Sequence, residues 1–430
     1  MSATFDSMWS DLEPVGRTSN GGYRRFAWTA QDHALREWFS AESARRGLDQ
    51  STDRAGNQWS WWWDGPGTVD EAAAGRRGAV MGSHLDSVPD GGAFDGPLGV
   101  VSAFAAIDAL REAGFVPSVP VAVVNFVDEE GARFGIACAG SRLLTGQLAP
   151  ERALALTDAD GTTYAEALRA ADRDPSTLGR DQEALDRVGA FVELHVEQGR
   201  ALIDLGVPVA VSSDIWPHGR WRFDFPGEAN HAGTTRLVDR HDAMIGYADL
   251  VLGARTVATQ RGCVATVGKV QVTPGGVNAI PSHVTGWLDA RGADEAAVVA
   301  MVEELTARSV GIGASVERES WTPTTHFDAH LASRLRGVLG TEDEVSVPIL
   351  GTGAGHDAGI LATAGYSTAM IFVRNPTGVS HSPAEFAEPD DCHAGVAALA
   401  ASIADLAGSA AATSTTTSAA TTTPTDGGDR

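Results

Sequence analysis

Gly82-Ser83-His84-Leu85-Asp86-Ser87-Val88-Pro89-Asp90-Gly91-Gly92-Ala93-Phe94-Asp95-Gly96 is the stretch on which the reading of this chain turns. It follows the apolar run Gly78-Ala79-Val80-Met81, which reads as the end of a buried strand. The Gly, Pro and Asp that come next read as a loop at the carboxyl end of that strand, the usual place for a site in an open α/β sheet. His84 and Asp95 are metal-ligand types. Asp86, two residues past the histidine, is placed to take the second imidazole N–H and so fix the tautomer.

The neighbouring segments extend the pattern. Downstream, 98–113 is a helical pattern ended by Gly114, and 121–127 is an apolar run suited to a strand buried on both faces. That run stops at Asp128-Glu129-Glu130-Gly131, and strand, loop, helix, strand, acidic loop is the grammar of an α/β domain. Upstream, 32–46 has amphipathic helical spacing, and 57–63 reads as a strand whose tryptophans pack in the core. A further strand at 191–196 carries Glu193 and His195.

From about residue 213 the texture changes. Arg220-Trp221-Arg222-Phe223-Asp224-Phe225 alternates like a half-buried antiparallel strand. A helix (242–258), two strands (264–272, 282–290), a helix (294–308) and a last strand complete a small sheet backed by two helices. Strands at 345–350 and 368–373 return to the first sheet, and a helix at 390–406 closes it. The expected architecture is therefore α/β: a discontinuous domain of residues 1–212 and 326–407, an inserted α+β domain at 213–325, and a disordered Ala/Ser/Thr-rich tail at 408–430.

Bulk properties narrow the function. With 430 residues, 43% hydrophobic and 20% charged, the chain suits two globular domains. A formal charge of −24 argues against nucleic acid or an anionic membrane as partner. It also requires a local positive centre if the substrate is an anion. Three scattered cysteines, Cys138, Cys263 and Cys392, without a CxxC, suit a reducing cytoplasm. No signal peptide is expected at the N-terminus, and no apolar run approaches a membrane span.

Five positions fall at strand ends or in the loops beyond them: His84, Asp95, Glu130, His195 and His381. Three imidazoles and two carboxylates are a ligand mix for two borderline-soft divalent cations, Zn²⁺ or Mn²⁺. Taken singly, each reads as structural or solvated. Five of the right type on sheet-end loops are hard to obtain by chance. Glu129 beside Glu130 adds to this: if Glu130 ligates, Glu129 can stand free to take a proton from water and return it to a leaving nitrogen.

Two other readings are weaker. Gly353-x-Gly355-x-x-Ala358 superficially matches a dinucleotide fingerprint, yet it lacks the acid about 20 residues on, and Asp357 would oppose a pyrophosphate. A non-catalytic binding module would have no need of all five ligand-type positions, and all five are present.

Taken together, GSHLDSVPDGGAFDGPLGV, NFVDEEGARFG, ELHVEQG, EANHAGTTR, GGVNAIP, LDAR, GTGAGHDAG and GVSHSPAE resemble the amidase branch of the M20 metallopeptidase family. The likeness spans about residues 8–407, with the motifs in order. That branch holds N-carbamoyl-L-amino-acid hydrolases, bacterial-type β-ureidopropionases and allantoate amidohydrolases. The resemblance implies a zinc-peptidase-like catalytic domain holding two divalent ions (Zn²⁺, or Mn²⁺/Co²⁺), with a ferredoxin-like lid through which the chain dimerises. By position, His84 and His195 would hold one ion, Glu130 and His381 the other, and Asp95 would bridge them. Glu129 would be the general acid/base, and His231 would stabilise the oxyanion across the dimer. Arg291 would clamp a substrate carboxylate, with Gln198 and Asn278 as further substrate contacts. His356, Asp357 and Arg240 would support these groups. The activity implied is hydrolysis of an N-carbamoyl amino acid or allantoate, with N-formyl or N-acyl amino acid deacylation, or dipeptide hydrolysis, as the alternatives.

Overall fold

Nine strands pair into one mixed sheet in the computed structural model, which describes residues 2–65, 68–69, 77–340 and 347–408. They are β1 (Asp49–Thr52), β2 (Gln58–Trp62), β3 (Gly78–His84), β4 (Val121–Phe126), β5 (Val188–Val196) and β6 (Val209–Ile215), then, after an excursion, β13 (Thr325–His326), β14 (Ile349–Thr352) and β15 (Ser367–Val373). The order across the sheet is β1-β2-β4-β3-β5-β15-β6-β13, with β14 also on β6. The last long strand in the sequence, β15, thus lies between β5 and β6. The strand expected at 345–350 is found as β14; residues 345 and 346 lie outside the described residues, as does the tail beyond 408.

The central strands are buried on both faces, which is why they read as unbroken apolar runs. Alternate residues serve two cores. Met81, Val123 and Leu194 face helices Pro97–Glu112 and Pro389–Ala407, while Val80, Val124 and Phe191 face Leu143, Leu144 and Tyr164. The tryptophans of β2 are core residues as expected, with Trp59, Trp61 and Trp62 all buried.

The excursion forms β7 (His218–Pro226), β8 (Asn230–His231), β9 (Val264–Thr273), β10 (Ala279–Ile280), β11 (His283–Arg291) and β12 (Ser315–Thr322). Four of these make an antiparallel sheet in the order β12-β7-β11-β9, and β8 pairs with β10 in a separate ribbon. Helix Ala243–Arg261 starts at Asp242, whose side chain accepts from Met244 N–H, and stops at Gly262 with positive φ. Helix Glu295–Gly311 is capped by Asp294 in the same way. Both helices pack on Trp221, Phe223, Phe225, Val284 and Leu288, a core separate from the other two. The first sheet keeps the chain to Ile215 and takes it back at Thr325.

Candidate metal centre

Strands β3, β4, β5 and β15 run parallel, so their carboxyl ends share one edge of the sheet. His84 ends β3, Glu129 and Glu130 follow β4, His195 is the penultimate residue of β5, and His381 follows β15. Asp95 comes from the loop between β3 and the next helix. Gly96, φ +85°, lets that loop lie against the His84 ring, where a Cβ would collide with the imidazole. All five expected ligands therefore converge.

Their geometry separates into two sets around one carboxylate. Asp95 Oδ1 stands 3.5 Å from His84 Nε2 and 3.1 Å from His195 Nε2. Asp95 Oδ2 stands 3.5 Å from His381 Nε2, which is itself 3.6 Å from Glu130 Oε2. His84–Asp95–His195 and Asp95–Glu130–His381 are each compact enough to hold an ion.

The tautomers complete the argument. His195 Nδ1 lies 2.8 Å from the Val196 carbonyl, and His84 Nδ1 lies 3.2 Å from the Asp86 carbonyl. A carbonyl only accepts, so both Nδ1 atoms carry the hydrogen, and in the neutral rings both Nε2 atoms are bare lone pairs facing a carboxylate. Among the described residues these buried Nε2 atoms have no hydrogen-bond partner, and neither does Glu130 Oε1. Acceptors facing acceptors at these distances repel unless a proton or a metal cation lies among them. The donor set fits divalent metal.

Here the expectation for Asp86 is refined. It is the Asp86 carbonyl that bonds the imidazole, with Oδ1 3.4 Å from the same nitrogen. The carboxylate instead accepts the Glu129 and Glu130 backbone N–H groups at 3.1 and 3.0 Å. One residue thus ties the β3 end to the acidic loop.

The electrostatics show a site short of positive charge. Burial pushes Glu129 well above the usual carboxylate range; His84 opposes this, and Asp357, Glu130 and Asp86 add to it. Burial, with Asp95 and Asp86 nearby, raises Glu130 to about 8. Burial alone would raise Asp95, yet His195 and His84 hold it well below its ordinary value. Burial likewise opposes charge on His84, but Asp86, Asp95 and Glu129 outweigh it and raise its pKa well above normal. Glu129 Oε2 lies 3.9 Å from His84 Nε2, and its Oε1 accepts from the Cys138 thiol at 3.2 Å. Asp128, Cys138 and His381 all have left-handed φ, +56°, +54° and +56°, each of which costs about 1–3 kcal/mol and clusters here as strain does at functional sites.

A cavity of about 480 Å³ opens onto these groups, lined by Asp95, Glu129, Glu130, Gln198, Arg291, His356 and His381 among others. Gln198 Nε2 donates to Asp95 Oδ2 at 2.7 Å. Arg291 gives Nε and Nη2 to Asp289 and Nη1 to the Gly353 carbonyl. Among the described residues these partners use three of its five N–H groups, leaving one on each terminal nitrogen for a further acceptor. His231 and Asn278 do not line the cavity. They sit exposed on the β8–β10 ribbon, where Ala232 N–H bonds the Asn278 carbonyl. Arg240 holds that ribbon's loop through the Ala232 and Thr235 carbonyls. His356 packs on His195, and Asp357 accepts from Ser141 Oγ.

Sequence reasoning missed Glu385, whose Oε1 accepts the Phe94 and Asp95 backbone N–H groups at 2.8 and 2.9 Å. An acid four residues beyond a ligand histidine, inside a quoted motif, was the available signal. It also missed Glu193, which is buried and takes hydrogen bonds from Ser83 Oγ and Ala358 N–H.

Comparison with known proteins agrees with this chemistry. Residues 80–405 match Peptidase family M20/M25/M40, and the chain belongs to that family. It is 36% identical over 408 residues to an N-carbamoyl-L-amino acid amidohydrolase of Geobacillus stearothermophilus, covering 92% of this chain and 96% of that one. It is 29% identical to an allantoate amidohydrolase of Escherichia coli over the same shares of the two chains. Among solved structures, an amidase of the hydantoinase/carbamoylase family from Burkholderia multivorans superposes with a TM-score of 0.82 at 28% identity, covering 95% of this chain and 98% of that one. The chain is a metal-dependent amidohydrolase, acting on carbamoyl or amide C–N bonds. Among the described residues no helix is long and apolar enough to cross a membrane.

Proposed function

We propose that this amidohydrolase cleaves the C–N bond of an N-carbamoyl amino acid or of allantoate, using water activated at a two-ion centre. The observation that carries this is the division of Asp95 between two ligand sets, one oxygen toward His84 and His195 and the other toward Glu130 and His381. Zn²⁺, or Mn²⁺ or Co²⁺, held there would supply Lewis acidity, polarising the carbonyl and bringing the pKa of water toward neutrality.

The chain's own side chains do the rest. Glu129, buried and bound to no cation of its own, takes the proton from the attacking water and later delivers it to the departing nitrogen. Burial and the neighbouring acids raise its affinity for protons in the metal-free site, and cations held beside it would lower that affinity toward the range a base needs. Arg291 receives the substrate carboxylate on its two free N–H groups, and Gln198 orients the substrate beside Asp95. Two ions held there, together with the guanidinium, would offset the net charge of −24 locally for an anionic substrate. Water adds to the carbonyl carbon and the C–N bond breaks to leave an amine. A carbamate so formed falls apart to carbon dioxide and ammonia.

In this reading the segment between β6 and β13, slightly shorter at both ends than the 213–325 expected, is a lid, and two chains pair through their lids as a homodimer in the cytoplasm. Exposed Ile245, Leu252 and Val270 on helix Ala243–Arg261 and β9 support such a contact. His231 and Asn278, remote from their own cavity, would then serve the partner's, His231 as a hydrogen-bond donor to the developing oxyanion. The test is ammonia and amine release from N-carbamoyl amino acids, allantoate and N-formyl amino acids after chelation and after Mn²⁺, Co²⁺ or Zn²⁺ is restored. Turnover of the first or second class only with metal supports the reading, and turnover unaffected by chelation overturns it.

A further inference from the structure

A second cavity, of about 750 Å³, adjoins the catalytic one, and the two share Gln198, Arg291, Ala354 and His381 in their walls. Their linings differ in kind. The first holds Glu129, Glu130, Asp95 and His356. The second is walled by Trp216, Val264, Leu350 and Phe372. Charged residues of this second cavity are spoken for or stand at its mouth: Glu197 accepts the Ala201 and Leu202 N–H groups, and Arg200 and Asp204 are exposed.

Trp216 is fitted into this wall by Gly351-Thr352-Gly353, whose last glycine opens the segment that superficially matched a nucleotide fingerprint. A Cβ on Gly351 would collide with Trp216 Nε1, and one on Gly353 would lie 3.2 Å from the indole ring. Trp216 N–H donates to the Thr352 carbonyl at 2.7 Å. The Gly353 carbonyl, in turn, accepts from Arg291 Nη1 at 2.7 Å. One three-residue segment therefore sets both an apolar wall and the guanidinium beside it. The glycines make room for an indole and not for a phosphate.

We propose that this second cavity is the side-chain subsite, and that the preferred substrates are N-carbamoyl or N-acyl amino acids with a large apolar side chain. The inference rests on the proposed function above. With the carboxylate on Arg291 and the hydrolysed group beside Glu129, the α-substituent enters between Gln198 and His381 and meets Trp216 and Phe372. Allantoate puts a second ureido group there, whose donors and acceptors an apolar wall leaves unpaired. Glycine derivatives leave the wall empty.

The experiment compares kcat/KM for N-carbamoyl-L-phenylalanine, N-carbamoylglycine and allantoate in the metal-loaded enzyme and in Trp216→Ala, Trp216→Phe and Gly353→Ala. Expected for the wild type is a preference for the phenylalanine derivative of about a hundredfold over the other two. Trp216→Ala lowers that substrate about tenfold or more through KM and leaves N-carbamoylglycine within about threefold. Trp216→Phe recovers most of the loss, and Gly353→Ala, by pushing the indole into the cavity, impairs the bulky substrate selectively. Equal losses on both carbamoyl substrates, or a wild-type preference for allantoate, would overturn the subsite alone. Failure to hydrolyse any of the three would overturn the underlying reading, and the subsite with it.

Discussion

The sheet edge and the β8–β10 ribbon carry the two halves of the expected machinery, and they are built on opposite principles. At the edge the backbone and the ring orientations are fixed by neighbours: Asp86 fixes the acidic loop, Glu385 fixes Asp95, and carbonyls fix the imidazole tautomers. On the ribbon, His231 and Asn278 are exposed, and the His231 ring bonds only its own loop, through Gly233 N–H. Groups that must bind a cation need preorganisation within one chain. Groups left in solvent with family-motif neighbours make sense when a second surface completes them.

The largest effect expected on this contrast comes from the edge. Asp95→Ala removes the shared carboxylate, so turnover should fall by about 10⁴-fold or more and bound metal, by atomic emission, below one ion per chain. Retention of two ions would break the bridging assignment. Glu129→Gln should lower kcat by about 10³-fold while metal content stays intact; loss of metal instead would make it a ligand. On the ribbon, His231→Ala should cost about 10²-fold in kcat with no change in melting temperature. Mixing that variant with Glu129→Gln should restore part of the activity, since a hybrid dimer holds one intact site. No recovery on mixing would place His231 in its own chain's site. Asp86→Asn should weaken metal affinity about 10- to 100-fold.

The smallest effect is one of pH on the metal-free protein. Asp357 is raised to about 8 and Glu385 to about 7, both by burial first, against about 4 when unfolded. The folded state therefore holds protons that the unfolded chain releases, so the contribution of these two acids to stability is greatest below about pH 4 and falls as pH rises toward 8. The melting temperature of the chelated protein should drop across that range, and Asp357→Asn or added metal should flatten the slope. A slope of opposite sign would mean that these acids are already ionised in the folded chain.

Much of the sheet edge was legible because its chemistry coincides with strong local signals. Runs such as 121–127 announce a strand, and acids or histidines at their ends announce a site. The burial alternation of β7 was equally plain. What stayed hidden depends on distance in sequence. Glu385 acts 290 residues from Asp95, and Glu193 takes its hydrogen bonds from Ser83 and Ala358, 110 and 165 residues away. Short pairings such as β13 have no periodicity to read, since two residues fit any pattern. The Asp289 partner of Arg291 could not be inferred either, because a guanidinium's five donors are apportioned by its surroundings.

The insertion of β15 between β5 and β6 bears on how the chain is born. A ribosome releases β5 and β6 long before β15, so the middle of the sheet is the last long strand delivered and the two flanks wait with unpaired edges. His381 and Glu385 emerge later still. A nascent or truncated chain ending before them lacks two of the groups that meet at Asp95, so the candidate centre is completed only by the last part of the chain to be made.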